Sequence, residues 1–265
     1  MTAASQFAGH VAVIIPTYNE RDNIGPIAAR VRSAMPGADL LIVDDNSPDG
    51  TGEIADELAA ADSHVHVLHR RAKAGLGAAY IAGFQWALNR DYDAVVEMDA
   101  DGSHQPEELP RLLSALNDAD LVLGSRWVRG GLVLNWPRSR QILSRAGNAY
   151  ARVMLGITQR DVTGGYRAYR ASALREIGLE NVQSQGYCFQ IDLALRVLQA
   201  GLAVAEIPIT FIQRAQGTSK MSNAIVREAL WRVTQWGFTR RPRRHRASTY
   251  SGQAAGWVRT GPGME

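Results

Sequence analysis

Two aspartates, Asp99 and Asp101, end a short apolar segment and are separated only by Ala100. Carboxylates at the end of a buried run are costly to desolvate unless a cation meets them. Oxygen ligands suit hard divalent cations, and Mg²⁺ in proteins commonly binds one or two carboxylates together with substrate phosphate and water. This pair is therefore a candidate site for a divalent cation and an anionic ligand, although an isolated pair of this spacing is more often a polar turn.

A second group of carboxylates ends another apolar run, where Asp44 and Asp45 are followed by Asp49. Ligands of parallel α/β sheets bind outside the carboxyl ends of the strands, so we expect these side chains and the Asp99/Asp101 pair to gather at one edge. Repulsion between them favours a bound cation with an anionic ligand over a simple polar turn.

A long basic segment lies between Asp120 and Asp161, where no Asp or Glu occurs. Seven arginines fall in this interval: Arg126, Arg129, Arg138, Arg140, Arg145, Arg152 and Arg160. A surface with this charge predicts an anionic partner. Farther along, Arg214 and Lys220 flank a Gly-Thr-Ser segment, a composition that suits a loop closing over phosphate groups.

Other nucleotide-binding and metal-binding patterns are incomplete. Gly75 and Gly77 resemble the start of a dinucleotide fingerprint, but Tyr80 stands where its third glycine belongs, so we reject NAD binding. The pattern G-x-x-x-x-G-K-[ST] of the commonest kinases and ATPases is absent. Three alternating histidines at 64, 66 and 69 indicate the polar edge of a strand rather than a metal site.

The elements that must hold these residues alternate along the first half of the chain. Apolar periodicity predicts strands at 10–15, 38–45, 64–69, 93–99 and 120–125. Helices are predicted at 21–35, 52–61, 77–88 and 106–117. This alternation predicts an α/β fold with a mostly parallel central sheet and helices on both faces.

The second half is less regular. A basic helix at 139–155 is predicted, with an apolar stripe at Ile142, Ala146, Ala149 and Val153. Strands at 164–170 and 202–212 and helices at 189–200 and 222–238 follow. We expect residues 1–239 to form one domain and residues 240–265, with six arginines and one glutamate, to be a disordered basic tail.

Taken together, these motifs resemble the family-2 glycosyltransferases, specifically the polyprenol (dolichol) monophosphomannose synthases. The segments that carry the resemblance occur in the family's order, as follows: "IPTYNE" (15–20), "VDDNSPDGT" (43–51), "GLGAAYIAG" (75–83), "MDADGSHQPE" (98–107), "GSR" (124–126), "TGGYRAYR" (163–170), "GYCFQID" (186–192) and "RAQGTSKM" (214–221). The resemblance implies a GT-A type, Rossmann-like nucleotide-sugar-binding fold.

The resemblance also implies an activity, the inverting transfer of mannose from GDP-mannose to the phosphate of a polyprenol. The implied nucleotide-sugar-binding residues are Pro16, Tyr18, Glu20, Val43, Asp45, Asp99, Ala100, Asp101, Arg214 and Lys220, and Asp101, Arg214 and Lys220 are the implied catalytic residues. Asp99 and Asp101 would hold Mg²⁺ or Mn²⁺, and the acceptor phosphate would lie at Arg126, Arg140 and Ser144. One departure is Ser103, where family members often have a glutamine as an additional metal ligand.

A lipid acceptor implies contact with a membrane, yet no run reaches the roughly 18 apolar residues of a membrane-spanning helix. The first ten residues lack the features of a secretory signal, and Cys188 is the single cysteine. We therefore expect a cytoplasmic protein that lies peripherally on the membrane, with or without an anchoring protein partner. The candidate contacts are helix 139–155, segment 130–136, Trp231, Trp236 and the basic tail.

Three other functions are compatible with parts of the sequence. The nearest uses the same fold with UDP-glucose as donor or another acceptor, and composition does not decide between guanine and uracil. Nucleic-acid binding is suggested by the basic tail, but the rest of the chain is slightly acidic and we expect no aromatic side chains interleaved with the arginines of the basic segment. A catalytically inactive regulatory module is disfavoured by the intact Asp99, Asp101, Arg214 and Lys220.

Overall fold

A computed structural model describes residues 7–182, 184, 187–213 and 223–239 of the 265-residue chain. Arg214, Lys220 and the basic segment 240–265 lie outside the described residues. What the sequence predicts for those three therefore stays a prediction.

The strands of the described residues form one large sheet and one small sheet. In chain order they are β1 (Val11–Thr17), β2 (Asp39–Asp44), β3 (Val65–His69), β4 (Ala94–Glu97), β5 (Leu121–Ser125), β6 (Leu132–Leu134), β7 (Arg167–Arg170), β8 (Val204–Pro208) and β9 (Thr210–Ile212). The five strands predicted in the first half are present, each shifted by no more than a few residues.

The helices fall between the strands as the periodicity predicts. They are α1 (Arg21–Ala34), α2 (Thr51–Ala61), α3 (Leu76–Leu88), α4 (Leu109–Ser114), α5 (Arg138–Leu155), α6 (Ala171–Glu176), α7 (Tyr187–Gln199) and α8 (Asn223–Thr239). Segment 106–117, predicted as a single helix, is helical but divided, since α4 is flanked by 3₁₀ turns at Pro106–Glu108 and Ala115–Asn117. Pro110, in the first turn of α4, has no amide proton for a helical bond to residue 106, so α-helical bonding does not extend back through Pro106–Glu108.

The large sheet has the strand order β3-β2-β1-β4-β7-β5-β8. Strand β7 runs antiparallel to β4 and β5, and the other neighbouring pairs are parallel. The prediction of a mostly parallel sheet is confirmed. Because the chain leaves β1 toward β2 on one side and returns to β4 on the other, the loops after β1 and β4 diverge and open a crevice for a ligand.

Both faces of the sheet are covered, as the alternation predicts. Along β1, Ala12 and Ile14 pack with Phe84 of α3, whereas Val13 and Ile15 pack on the opposite face with the helix α1 side chains. All four β1 residues are completely buried. Consecutive strand residues point to opposite faces, so a continuous apolar run is what a sheet covered on both sides requires.

The predicted strand at 202–212 is divided into β8, in the large sheet, and β9, which pairs in parallel with β6. Pro208 ends β8, and proline cannot donate a hydrogen bond to continue a ladder. Segment 130–136, predicted only as a membrane contact, therefore has a structural role through β6. Its side chains Leu132 and Leu134 remain exposed.

Helix α5 presents its apolar stripe outward. Ile142 and Val153 are 68% and 69% exposed, while the buried face of the helix contains Asn148, Ala151 and Leu155. In α8, Trp231 is 69% exposed but Trp236 is 5% exposed and belongs to the core, so the prediction of Trp236 as a membrane contact is wrong. Among the described helices, none has the length and apolarity to cross a bilayer.

The histidines at 64, 66 and 69 lie on and beside β3, which is an edge strand of the sheet. His64 Nδ1 is 2.7 Å from Asp39 Oδ1, and His69 Nε2 is 2.8 Å from Asp56 Oδ1. The prediction of a polar strand edge is confirmed. Across the part of the chain that the structure describes, no three His, Cys, Asp or Glu side chains form a ready-made metal cluster.

Candidate active site

The crevice at the carboxyl ends of β1 and β4 contains a pocket of about 210 Å³. The pocket brings together most of the residues predicted for the nucleotide sugar, since its lining includes Pro16, Tyr18, Glu20, Asp45, Asp99, Ala100 and Asp101. Val43 is different, because it is fully buried in β2 and is part of the core behind the pocket.

The acidic residues after β2 have partners within the protein. Asp44 accepts hydrogen bonds from Ser47 Oγ at 2.6 Å and Thr17 Oγ1 at 3.1 Å, and so stabilises the turn. Asp49 Oδ1 accepts from the amide and hydroxyl of Thr51 at the start of α2. For Asp44 and Asp49, the simple reading as turn residues therefore accounts for the structure without a bound cation.

Asp45 is the member of this group that faces the pocket. Arg70 Nη1 lies 2.5 Å from its Oδ1, so the protein itself supplies a cation to this carboxylate. Burial raises the pKa of Asp45, and the Arg70 guanidinium opposes that rise. The Arg70 contact therefore holds the Asp45 carboxylate in place at the pocket wall, where an acceptor suits recognition of a polar heterocycle or ribose.

Lys73 adds a positive charge to the acidic pocket. Its ammonium group lies 3.7 Å from the ring centroid of Tyr18, within the range of a cation–π interaction. Lys73 is absent from the predicted site residues, because it lies just before segment 75–83 and outside the motifs that carry the resemblance. A lysine two residues before a helix-starting glycine, at a sheet edge rich in carboxylates, was the available signal.

A tight turn holds the two aspartates after β4. Asp101 Oδ1 accepts the amide of Ser103 at 3.0 Å, and Gly102 has a φ of +72°, which favours glycine. The Asp99 amide donates to Nδ1 of buried His104 at 3.1 Å, and the Tyr80 hydroxyl donates to Asp99 Oδ1 at 3.3 Å. Both carboxylates are therefore fixed toward the pocket by the neighbouring backbone and side chains.

The composition of this turn fits a hard divalent cation. Asp99 and Asp101 contribute carboxylate oxygens, and Ser103 Oγ is buried with no hydrogen-bond partner among the described residues. Oxygen ligands of this kind suit Mg²⁺ or Mn²⁺, with the remaining ligands supplied by substrate phosphate and water. Ser103, which stands where family members often have a glutamine ligand, is thus compatible with a role as a metal ligand.

Arg126, predicted to bind the acceptor phosphate, is buried against an aspartate. Asp161 Oδ2 accepts from the Arg126 backbone amide and Nε, both at 2.8 Å, and its Oδ1 lies 2.6 Å from Nη2. Asp161 comes directly after the acid-free segment, so that segment is not free of carboxylates in space. The expectation that all seven arginines face an anionic partner is wrong for Arg126, whose charge Asp161 already meets.

Arg140 and Ser144 lie one turn apart on α5, beside this ion pair. The Ser144 carbonyl accepts from the Asn148 side-chain amide at 3.0 Å, and the same amide donates to Thr163 Oγ1 at 2.9 Å. Thr163 Oγ1 also accepts from Arg126 Nη2 at 3.2 Å. The structure therefore brings the three predicted acceptor residues into one connected region.

The arginines of this region do stack on aromatic rings. Trp136 lies beneath Arg140, with a distance of 4.1 Å from Cζ to the ring centroid, and Trp127 lies 4.6 Å from Arg145 Cζ. The expectation that the arginine segment lacks interleaved aromatics is therefore wrong. Both tryptophans were visible in the sequence within the segment, but their spacing does not show which arginines they contact.

Comparison with known proteins agrees with this site. The model of "Glycosyl transferase family 2" matches residues 12–178, which is more than half of the chain. The chain belongs to glycosyl transferase family 2. The match includes the strands and loops that form the pocket, and the predicted family is confirmed.

Two curated relatives of this family 2 glycosyltransferase are similar over most of their length. An undecaprenyl-phosphate mannosyltransferase of Micrococcus luteus is 57% identical over 87% of this chain and 95% of the relative. A polyprenol monophosphomannose synthase of Mycolicibacterium smegmatis is 58% identical over 85% of this chain and 86% of the relative.

A solved structure shows the same fold. Glucosyl-3-phosphoglycerate synthase from Mycobacterium tuberculosis, in complex with Mn²⁺, UDP and glucosyl-3-phosphoglycerate, superposes with a TM-score of 0.63. The two proteins are 20% identical, and the match covers 88% of this chain and 80% of the other. At this identity the likeness concerns the fold alone, and it confirms the predicted GT-A architecture.

Beneath the pocket, the family 2 fold buries a carboxylate that the sequence analysis passed over. Glu97, the last residue of β4, is fully buried, and Gln190 Nε2 donates to its Oε2 at 2.7 Å. Burial raises the pKa of Glu97 to about 7, against the lowering effects of Arg167 and the Gln190 hydrogen bond. A glutamate inside "AVVEM" was the signal, since a charged residue in an apolar strand needs partners.

This burial predicts a pH-dependent stability. Because the folded pKa of Glu97 lies above the unfolded value of about 4.5, the proton-bound native state is favoured at low pH. The contribution is complete below about pH 4.5 and is lost as the pH rises to about 7. We expect Glu97→Gln to unfold at a higher urea concentration than wild type at pH 8. The free energy of unfolding of the variant, relative to that of wild type, is expected to be about 3 kcal/mol more favourable at pH 8 than at pH 4.5.

Urea titrations at the two pH values, in EDTA, measure this difference. Glu57→Gln on the exposed face of α2 is the matched control and is expected to behave like wild type at both pH values. An identical pH dependence for Glu97→Gln and wild type would contradict the assignment.

Proposed function

We propose that this protein transfers mannose from GDP-mannose to the phosphate of a polyprenol, with inversion at the anomeric carbon. The observation that carries the proposal is the pair of relatives at 57% and 58% identity, whose names state mannosyl transfer to undecaprenyl phosphate or synthesis of polyprenol monophosphomannose. The donor base and the stereochemistry come from the motif resemblance, since the fold itself also accepts UDP in a structural neighbour.

In the proposed donor site, the pocket residues Pro16, Tyr18, Glu20 and Asp45 would surround the nucleoside, and Lys73, which also lines the pocket, would bind the diphosphate. Asp99 and Asp101 would hold Mg²⁺ or Mn²⁺, which when bound stabilises the charge that develops on the departing GDP. Arg70 orients Asp45 through its 2.5 Å contact. Arg214 and Lys220, outside the described residues, remain proposed for closure over the donor phosphates.

On the acceptor side, the chemistry needs positioning more than proton transfer. A phosphomonoester has a second pKa near 6, so at neutral pH it is largely a dianion and already a nucleophile. Arg140 and Ser144 would hold this phosphate next to the Arg126–Asp161 pair, in line with the sugar. Because the phosphate is already a nucleophile, the reaction needs no strong base, and the proposed acceptor residues Arg126, Arg140 and Ser144 do not have to supply one.

Calorimetric titration of the purified protein with nucleotide sugars tests the donor assignment. We expect GDP-mannose to bind in the presence of Mn²⁺ and to bind at least ten-fold more weakly in excess EDTA. UDP-glucose, titrated under the same conditions, is expected to bind at least ten-fold more weakly than GDP-mannose. Tighter binding of UDP-glucose than of GDP-mannose would be consistent with the nucleotide-sugar pocket but would overturn the assignment of mannose as the transferred sugar.

The acceptor also implies peripheral association with the cytoplasmic membrane face, and α5 is the proposed contact. Its outward stripe of Ile142, Ala146 and Val153 lies among arginines, a pattern typical of helices that lie in a lipid interface. Tail arginines and a membrane-anchoring protein partner remain further proposals. We propose no nucleic-acid ligand.

We expect Ile142→Ser combined with Val153→Ser to weaken binding to anionic phospholipid vesicles at least ten-fold. Each change removes an apolar side chain that is worth roughly 1.5–3 kcal/mol when fully buried. Vesicle co-sedimentation measures the effect, and deletion of 240–265 is tested in parallel. Unchanged sedimentation of the double variant would contradict the assignment of α5, and unchanged sedimentation after the deletion would contradict that of the tail.

A further inference from the structure

An alternating stack of arginine and tryptophan side chains lies beside the acceptor region, in the order Arg145, Trp127, Arg126, Trp136, Arg140. The distances from each guanidinium Cζ to the neighbouring ring centroid are 4.6, 5.6, 5.4 and 4.1 Å along the stack. Each lies within the approximately 6 Å of an energetically significant cation–π contact. Arg126, at the centre, contacts both indoles.

The stack concentrates positive charge. It contains three guanidinium groups, and Asp161 is bonded to one of them, Arg126. Like charges held close together repel each other unless an anion or an aromatic face compensates. The two indoles keep the guanidinium groups apart and restrict their rotamers, so the entropy of ordering these long side chains is spent before a ligand arrives.

The stack is one aromatic layer away from the proposed metal-binding aspartates. The Phe211 ring lies 5.4 Å from Arg126 Cζ and 5.2 Å from the Trp136 ring. On its other side it meets the ring of His104 at 5.5 Å, and His104 Nδ1 accepts the amide of Asp99. A phosphate at the stack would thus lie beside the donor pocket and not at a remote surface.

Exposed apolar side chains occur on the two elements next to the stack in the chain. Leu132 and Leu134 lie on β6, shortly before Trp136, and Ile142 and Leu143 lie on α5, shortly after Arg140. Cations with an apolar rim suit an anionic group carried on an apolar chain better than a free inorganic anion.

We propose that Trp127 and Trp136 are positioning residues that hold the stacked arginines as a receptor for a phosphomonoester on an apolar chain, and that Arg145 contacts this phosphate directly. The inference deepens the proposed function, because it rests on a polyprenyl phosphate acceptor. It adds Arg145 to the predicted acceptor residues and gives the two tryptophans a role in acceptor affinity.

Titration with geranyl phosphate, in the absence of any sugar nucleotide, tests the receptor separately from sugar transfer. Arg145→Gln is expected to weaken geranyl phosphate binding about ten-fold. Trp136→Leu is expected to weaken it about five-fold, a factor that corresponds to about 1 kcal/mol. Trp136→Phe, which keeps an aromatic face beneath Arg140, is expected to restore most of the affinity.

A second arginine–tryptophan contact provides matched controls, since Arg90 Cζ lies 4.4 Å from the Trp86 ring elsewhere in the chain. Arg90→Gln and Trp86→Leu are expected to leave geranyl phosphate binding unchanged. In turnover, Arg145→Gln is expected to raise the KM for the lipid phosphate while the KM for the donor changes less than two-fold. Arg145 is exposed, so this variant is expected to fold even where Trp136→Leu does not.

Three results would overturn the inference: wild-type affinity of Arg145→Gln for geranyl phosphate, an equal loss in the control variants, or failure of Trp136→Phe to improve on Trp136→Leu. Inorganic phosphate that binds as tightly as geranyl phosphate would overturn the apolar-chain assignment. A donor other than GDP-mannose would refute the proposed function but leave the binding result intact, so the two failures are distinguishable.

Discussion

Asp101→Ala is expected to lower kcat/KM for mannosyl transfer at least a hundred-fold, which corresponds to about 2.7 kcal/mol of transition-state stabilisation. The change removes one of the two carboxylates that would hold the divalent cation against the donor diphosphate. It also removes the acceptor for the Ser103 amide, which Asp101 Oδ1 binds at 3.0 Å. A loss of activity could then have two causes, disruption of the turn or loss of the charge.

Asp101→Asn separates these causes, because its amide oxygen can still accept from Ser103 while the negative charge is gone. We expect Asp101→Asn to be nearly as inactive as Asp101→Ala and to melt at the wild-type temperature. Asp118→Ala, at an exposed position, is the matched control and should retain full activity. Initial rates at saturating acceptor, with Mg²⁺ or Mn²⁺, measure the effect. Wild-type turnover by either Asp101 variant would remove the basis for the metal assignment.

The largest expected effect on stability is that of Asp161→Ala, which we expect to lower the free energy of unfolding by about 3–5 kcal/mol. Asp161 is completely buried and accepts three hydrogen bonds from Arg126, which is itself 7% exposed. Removal of one partner leaves a buried guanidinium without its counter-charge, and that desolvation cost exceeds the value of an exposed pair.

Urea unfolding measures this difference, with Glu107→Ala as the matched control. Glu107 forms an ion pair of the same 2.6 Å length with Arg30, but these two side chains are 59% and 38% exposed. We expect that variant to lose less than about 1 kcal/mol. Equal losses in the two variants would show that burial of the Arg126–Asp161 pair does not determine its contribution.

The parts of the fold that local pattern determines were predictable from the sequence. Apolar runs and 3.6-residue periodicity located the five strands and the helices of the first half, and the rule for parallel sheets placed Asp45, Asp99 and Asp101 at one edge. The antiparallel direction of β7 was not predictable, because a short strand has the same side-chain alternation in either direction.

Orientation and long-range pairing explain most of the remaining differences. The apolar stripe of α5 was correctly identified, but amphipathicity alone does not show whether the apolar face meets the core or the outside. Arg126 and Asp161 are 35 residues apart, and Arg70 and Asp45 are 25 apart, so neither pair is visible as a local pattern. Trp231 and Trp236 look alike in the sequence, yet only Trp236 faces the core.

The central claim is mannosyl transfer to a lipid phosphate, and mass spectrometry of the lipid product tests it most directly. Purified protein would be incubated with polyprenyl phosphate and GDP-mannose, UDP-glucose or GDP-glucose in turn, with Mg²⁺, Mn²⁺ or EDTA. We predict a mannosyl phospholipid from GDP-mannose that forms with either metal and is lost in EDTA. A glucosyl phospholipid formed from UDP-glucose, or a mannosyl product formed equally well in EDTA, would contradict the account.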